Sequence, residues 1–361
     1  MNLHIEKQAK KPAYLQLYEQ LRRAVTDGAF PYGSRLPSKR LLAEEAGVSV
    51  ITVEHTYAIL ADEGYIEPRR RSGFYVIYRR GDFLSAETAP PPLPKGEGHH
   101  PKNDFPFSVL ANTMRRVLSE QGERILVKSP NHGCAELRSA IAAYLARSTG
   151  IRVGAEQVII GSGAEYLYSL IAQLLKDRVF AIESPCYDKI RRVYQANGLP
   201  LEPLKLGADG IKTAELERTA ATVLHVTPFN SYPSGVTASA TKRRQYLDWA
   251  AERDGFIIED NFDSELTVSS KNEDPLFSHN ACNVLYLNTF SQTIAPSIRV
   301  GYLLLPEGMR QEFEQKLGFY SCTVPVFEQF DLAELLNNGD FERHINRVRR
   351  ARRKSGHIKK S

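Results

Sequence analysis

Leu36-Pro37-Ser38-Lys39-Arg40-Leu41-Leu42-Ala43-Glu44-Glu45-Ala46-Gly47-Val48-Ser49-Val50-Ile51-Thr52-Val53 decides how the N-terminal region folds. Ser38 has the side chain of a helix N-cap, and Gly47 is a natural stop because it tolerates left-handed backbone. Between them lies one short helix. Ser49 caps the next, in which Val53, Tyr57 and Leu60 face inward. The turn Ala46-Gly47-Val48-Ser49 is short and contains glycine, which is helix-turn-helix geometry.

Upstream, Tyr14 to Asp27 places Leu17, Leu21 and Val25 at four-residue spacing, a helix with an apolar stripe that Gly28 ends. Downstream of Gly64, Tyr65-Ile66-Glu67 and Phe74-Tyr75-Val76 pair as a hairpin with Pro68-Arg69-Arg70-Arg71-Ser72-Gly73 at its tip. Adjacent arginines repel one another in isolation and are favourable beside phosphates. A solvated basic turn is the alternative reading of such a tip. Next to a helix-turn-helix it reads as a wing.

The chain has 361 residues, enough for two domains, with 42% hydrophobic and 25% charged residues and a formal net charge of +5. That charge permits a nucleic-acid partner without demanding one. Cys134, Cys186, Cys282 and Cys322 are scattered, which argues against a zinc site or a disulfide framework and for buried, reduced thiols in a cytoplasmic protein. No apolar run approaches a membrane span, and the N-terminus lacks the pattern of a signal peptide. The expected division is residues 1–80, a proline-rich linker at 81–103 around Ala89-Pro90-Pro91-Pro92-Leu93-Pro94, and a large domain at 104–361. His99 and His100 in the linker read as solvated, and no metal is expected.

In the large domain, short apolar runs alternate with amphipathic stretches such as Tyr166 to Leu175 and Thr241 to Arg253. The runs are Val158–Ile160, Val179–Ile182, Val223–Val226, Gly255–Ile258 and Val284–Leu287, read as buried parallel strands of an α/β domain. Ser162-Gly163-Ala164-Glu165 follows one strand and opens a helix, so its amides suit a phosphate. Glu183-Ser184-Pro185-Cys186-Tyr187 presents an aromatic ring after the next. Thr227 to Gly235 is turn-rich. Glu259-Asp260-Asn261-Phe262 puts acids at a strand end, where α/β folds place ligands. Thr289-Phe290-Ser291-Gln292-Thr293 through Arg299-Val300-Gly301-Tyr302 closes the series.

From Pro12 to Val76 the chain resembles the winged-helix domain of the GntR superfamily. The resemblance rests on Leu36-Pro37-Ser38-x-Arg40, Leu42-Ala43, Gly47-Val48-Ser49, Thr52-Val53, Glu63-Gly64 and Ser72-Gly73. It implies double-stranded DNA as partner, with Arg40, Ser49, Thr52, Arg69, Arg70, Arg71 and Gly73 at the interface. Arginine suits guanine or phosphate, and hydroxyls at a helix N-terminus suit phosphate oxygens. Two places where the family usually carries arginine hold Val50 and Glu54. The loss of two cations implies an unusual operator or reduced affinity, with Arg69 to Arg71 as the compensating charge.

From about Asp104 onward the segments resemble, in order, the fold-type-I aminotransferase domain of the MocR subgroup. The resemblance implies a pyridoxal phosphate (PLP) pocket. Asp260 would pair with the pyridine nitrogen and Tyr187 would stack on the ring. Ser162, Gly163, Ala164, Thr289, Ser291 and Arg299 would hold the phosphate, and Asn230 would reach the cofactor or effector. The family's imine-forming lysine is Gln292 here, whose amide nitrogen cannot form a Schiff base. Its usual tyrosine is Phe262, and its usual His-Gln is Asn230-Ser231. The chain stops at Ser361, which implies that the family's small C-terminal domain is missing. The basic tail from Arg343 to Lys360 is expected to fray in solvent.

The reading is therefore a homodimeric, DNA-binding transcriptional regulator and not an enzyme. Its aminotransferase-like domain would sense PLP or an amino-acid-like effector, with PLP held weakly and non-covalently or lost. The alternatives are a PLP-dependent aminotransferase, which Gln292 argues against, and a truncated, degenerate family member.

Overall fold

Leu17, Leu21 and Val25 recur every four residues along α1 (Ala13–Thr26), and all three are buried. They pack with Leu42 of α2 (Lys39–Ala46), with Val53, Tyr57 and Leu60 of α3 (Val50–Asp62), and with Ile66 and Val76 of a hairpin. The hairpin strands are β1 (Ile66–Arg69) and β2 (Gly73–Val76), in antiparallel register from Ile66↔Val76 to Arg69↔Gly73. The caps form as the sequence predicts. Ser38 Oγ accepts from the Leu41 N–H at 3.2 Å, Ser49 Oγ accepts from the Thr52 N–H at 3.1 Å, and Gly47 is left-handed at φ +63°. The hairpin tip is tighter than expected, because Pro68 and Arg69 pair with Phe74 and Gly73 inside the ladder.

The computed structural model describes residues 5–6, 11–70, 72–79, 105–262, 264–266, 274–279 and 282–358. The chain divides into two compact units, Met1–Glu97 and Gly98–Ser361, a division that falls inside the stretch read as a linker. That linker, residues 81–103, and Arg71 of the wing lie outside the described residues.

The second unit is built on a seven-stranded sheet. Its strands are β3 (Val158–Gly161), β4 (Phe180–Ser184), β5 (Leu201–Lys205), β6 (Val223–Val226), β7 (Phe256–Asp260), β8 (Val284–Thr289) and β9 (Gly301–Leu304), in the order β3-β9-β8-β7-β6-β4-β5. The pairs from β8 to β5 are parallel, whereas β9 is antiparallel to both β8 and β3. The expectation of a parallel neighbour for Val158–Ile160 is thus corrected. An apolar run reports burial on both faces but carries no information on the direction of its partner.

Helices cover both faces. They are α4 (Phe107–Gln121), α5 (Ala135–Ser148), α6 (Ala164–Leu174), α7 (Asp188–Ala196), α8 (Thr213–Arg218), α9 (Ala240–Glu252), α10 (Leu276–His279), α11 (Arg310–Leu317), α12 (Val326–Asn337) and α13 (Asp340–Ile358). Alternate strand residues enter two cores. Ile160, Val284 and Tyr286 pack with α5, α9 and α12, while Ile159, Leu285 and Leu287 pack with α6, α7 and α11. Within the described residues the basic C-terminal stretch, expected to fray, is helical as part of α13. Phe341 and Ile345 anchor α13 in the first core, and Arg349 and Arg352 donate to the carbonyls of Glu265 and Leu266. No disulfide joins the four cysteines, but the expectation that they are buried holds only for Cys134; Cys186 and Cys322 are half-buried and Cys282 is exposed. No helix among the described residues is long and apolar enough to cross a membrane.

This topology positions a site. The parallel strands end at one edge of the sheet, and β9, running the other way, begins there, with Thr289 and Gly161 both paired to Gly301. Residues after β3, β4, β6, β7 and β8 and residues before β9 therefore converge, outside the carboxyl ends of the strands.

Candidate functional site

The N-terminal unit presents its predicted contact residues on the α2–α3 turn and the wing. Arg40 is exposed on the first turn of α2. Ser49 and Thr52 share a hydroxyl–hydroxyl bond of 2.8 Å at the start of α3, so the Ser49 oxygen already serves as a cap. Beside them, Val50 and Ile51 are exposed, Ile51 to 77%. Glu54 does more than lack a cation, because its Oε1 accepts from Lys39 Nζ at 2.6 Å and engages the ammonium of a neighbouring helix. In the wing, Arg69 donates to Glu67 Oε1 at 2.7 Å and lies 4.3 Å above the Tyr75 ring, while Arg70 is exposed. Gly73, at φ +114°, rests against Arg35; a Cβ there would meet Nε at 3.1 Å. Arg35 is a basic residue at the wing that the sequence reading missed, since it precedes the helix motif and reads as loop.

In the second unit a cavity of about 320 Å³ opens at the sheet edge. Ala164, Tyr187, Asp260, Thr289, Ser291 and Arg299, all singled out from sequence, line it, together with Gln292 and Phe262. Ser162, Gly163 and Asn230 are not among the lining residues. Ser162 Oγ accepts instead from Thr323 Oγ1 at 2.9 Å, and Gly163 lies directly against the Arg299 guanidinium. Asn230 sits in left-handed backbone at φ +50°, its N–H donating to Thr237 Oγ1 at 3.1 Å. Its neighbour Ser231 turns into the protein and donates to Glu183 Oε2 at 2.5 Å. Burial first, and the nearby Asp260 charge, push the Glu183 carboxyl up to about 8, against the hydrogen bonds from Ser231 and the Thr227 backbone. The loop is anchored by the buried Arg243, which donates to the carbonyls of Pro228 and Ala238 at 3.1 Å each and stacks on Phe229 at 4.0 Å.

Asp260 closes the floor and is 1% exposed. Its Oδ2 accepts from the Tyr168 hydroxyl and faces His225 Nε2 at 3.6 Å. His225 Nδ1 in turn shares a 2.7 Å bond with Tyr194. Burial, then the Asp260 charge, drive the Tyr168 hydroxyl well above its ordinary range, so it stays a donor. Asp260 Oδ1 is buried with no hydrogen-bond partner in the structure. A buried carboxylate oxygen without a donor is costly and suits a ligand N–H.

Glu165, Tyr168, Lys189, Thr227 and Tyr232 also line the wall, and sequence reasoning had not singled them out. Tyr168 stands one turn beyond Glu165 on α6, and that spacing was an available signal. Lys189 follows Tyr187 by two residues on the amphipathic α7. Its Nζ donates to Glu165 Oε1 at 2.5 Å, and its ammonium lies 5.9 Å from the Tyr187 ring centroid. Glu165 Oε2 also accepts from Arg299 Nη2 at 2.5 Å. Ser291 Oγ donates to the Ile298 carbonyl at 3.1 Å, drawing the segment before β9 toward the end of β8.

Comparison with known proteins agrees with both halves. Residues 13–76 match the model for bacterial regulatory proteins of the gntR family, and residues 95–356 match aminotransferase class I and II. An uncharacterized HTH-type transcriptional regulator of Bacillus subtilis (strain 168), YdeL, is 34% identical over 95% of this chain and 77% of its own length. The HTH-type pyridoxine biosynthesis transcriptional regulator PdxR of Corynebacterium glutamicum is 31% identical over 93% of this chain and 75% of its own. Among solved structures, the alpha-aminoadipate aminotransferase LysN of Thermus thermophilus superposes with a TM-score of 0.61 at 27% identity, covering 70% of this chain and 66% of that one. The chain thus spans about three quarters of the length of those regulators and a little under two thirds of that enzyme. Both halves, in this order along one chain, place it in the family of GntR-type helix-turn-helix transcriptional regulators of the MocR kind, which carry an aminotransferase class I and II domain.

Proposed function

We propose that this regulator binds double-stranded DNA as a homodimer and that its aminotransferase-like domain senses a ligand instead of transforming one. The ligand class is PLP or a related pyridine, held without a covalent bond. The observation that carries this reading is the composition of the cavity wall, where Gln292 stands together with Asp260, whose Oδ1 is buried and unpartnered. An amide has no nucleophilic lone pair, so the wall offers ring recognition without the amine that transamination requires.

The residues present suit a non-covalent pyridine ligand. Asp260 would accept from a protonated ring nitrogen, with Tyr168 and His225 fixing its other oxygen. Tyr187 would flank the ring. Thr289, Ser291 and Arg299 would face a phosphate, Arg299 through charge-assisted bonds. When bound, PLP supplies an aldehyde and an electron-withdrawing ring. Phe262 adds only apolar surface. Lys189 is a lysine on the wall, but its ammonium is engaged by Glu165, which keeps it protonated and unfit as a nucleophile. The relative named for pyridoxine biosynthesis supports a ligand of this class.

On the DNA side, Arg40, the N-terminus of α3 and the wing supply phosphate and base contacts. Two copies in a dimer would require paired half-sites. The test is a titration against the protein's own upstream region across a salt series, with and without PLP. Sequence-selective binding with a steep salt slope, shifted by PLP, is expected. Weak, unselective binding unchanged by PLP would overturn the reading.

A further inference from the structure

Arg299, the cation expected to hold a phosphate, already faces an anion that it shares with a second cation, Lys189. Lys189 opens α7 and Arg299 precedes β9, far apart in sequence, yet Glu165 Oε1 takes the first at 2.5 Å and Oε2 the second at 2.5 Å. All three side chains line the cavity. Glu165 belongs to the first turn of α6, whose amides add to the field there. Burial pushes its carboxyl up, but the hydrogen bonds from Lys189, its own backbone N–H and Arg299 outweigh this and hold it at about 2. The group is therefore ionised at any working pH.

We propose that Glu165 is the specificity-determining residue of this cavity, a built-in anion that competes with a ligand's phosphate for Lys189 and Arg299. This rests on the ligand-sensing reading above. With Glu165 present, the three side chains sum to a single positive charge against a dianionic phosphate ester. Without it they offer two, matched to the dianion. A phosphorylated ligand must displace the carboxylate or share its cations at the cost of like-charge repulsion. A phosphate-free ligand with the same ring meets neither demand. The cavity is thereby biased away from phosphate esters and toward their dephosphorylated forms.

The test uses the intact chain, titrated by calorimetry with PLP, pyridoxal and inorganic phosphate, as wild type and as Glu165→Gln and Glu165→Ala. Thermal melts confirm that each variant is folded. Both variants are expected to bind PLP about ten-fold more tightly or better, and to bind pyridoxal within about two-fold of wild type. Inorganic phosphate should gain in the same direction as PLP. If pyridoxal binds all three proteins but PLP binds the variants no better than wild type, the competition is refuted while ligand sensing survives. If neither PLP nor pyridoxal binds any of the three, the ligand-sensing reading itself falls and takes this inference with it.

Discussion

Gly163 and Arg299 are packed so closely that a Cβ on residue 163 would stand 2.7 Å from Nη2 of the guanidinium. Gly163 also has φ +91°, a left-handed conformation that L side chains rarely adopt. The backbone conformation therefore demands glycine between β3 and α6, and a Cβ there would also have to displace a cation of the cavity. Gly163→Ala should cost about 1–2 kcal/mol of stability through backbone strain. It should also push Arg299 aside and weaken binding of inorganic phosphate or PLP. Thermal melts and calorimetric titration check the two effects separately. Unchanged phosphate affinity in a destabilised variant would mean that the glycine serves the turn alone.

Gln292 shares the cavity wall with Asp260, Thr289 and Ser291. An amine introduced there enters a site where Asp260, the proposed partner of a ring nitrogen, already has a buried, unpartnered Oδ1. Gln292→Lys is expected to turn yellow on addition of PLP and to retain the cofactor after borohydride reduction, read by absorbance and intact mass. The wild-type chain should do neither. A colourless Gln292→Lys protein that still binds PLP would place position 292 out of reach of the aldehyde.

Much of this was legible because the signals are local. Ser38, Gly47 and Ser49 mark helix ends through bonds within three residues, and the hairpin is marked by its glycine-bearing tip, although the ladder runs further into that tip than expected. Asp260 was legible because strand ends at this sheet edge are where such folds place ligands. What failed was non-local. Leu201–Lys205 escaped notice as a strand because it carries Glu202, Pro203 and Lys205, residues tolerable only at the sheet edge it occupies. Gly301 and Tyr302 read as the end of a motif and not as the start of the strand Gly301–Leu304, and nothing in its composition reveals that it runs against its neighbours. Lys189 reads as one charge on an amphipathic helix until folding brings it to Glu165, and Tyr168 reads as core until its hydroxyl is seen on Asp260.

The Lys39–Glu54 pair bears on DNA binding. Glu54 holds the ammonium of Lys39 at 2.6 Å across the α2–α3 interface, and the same Lys39 lies 5.5 Å from the Phe74 ring centroid in the wing strand. Both groups are partly exposed, so the pair adds little stability. Its effect is to subtract a cation from the surface offered to phosphate. Glu54→Ala should therefore leave the melting temperature nearly unchanged. It should also raise DNA affinity at low salt and steepen the dependence of log K on log salt by about one phosphate contact. A slope identical to wild type would show that Lys39 does not reach the backbone. Lower affinity would indicate that Glu54 itself reads a base.

Asp331 makes the stability of the second unit depend on pH. It lies on α12, is 3% exposed, and its Oδ1 has no hydrogen-bond partner. Burial, reinforced by the charges of Glu328 and Glu334 on the same helix, pushes its carboxyl up to about 7. In the unfolded chain the group titrates near its ordinary 3.8. Between those values the folded state binds more proton than the unfolded state, so stability falls as pH rises through this window. Below about pH 4 both states are protonated and the penalty vanishes; above about pH 7 it is complete. Asp331→Asn removes the ionisation and keeps the shape. Its unpaired amide costs the same at every pH, so the diagnostic is the difference between conditions. Relative to wild type, the variant should gain stability on going from pH 4 to pH 8, by up to about 4 kcal/mol and several degrees in Tm. Melting curves whose separation does not change between those two conditions would show that Asp331 finds solvent or a donor in the folded chain.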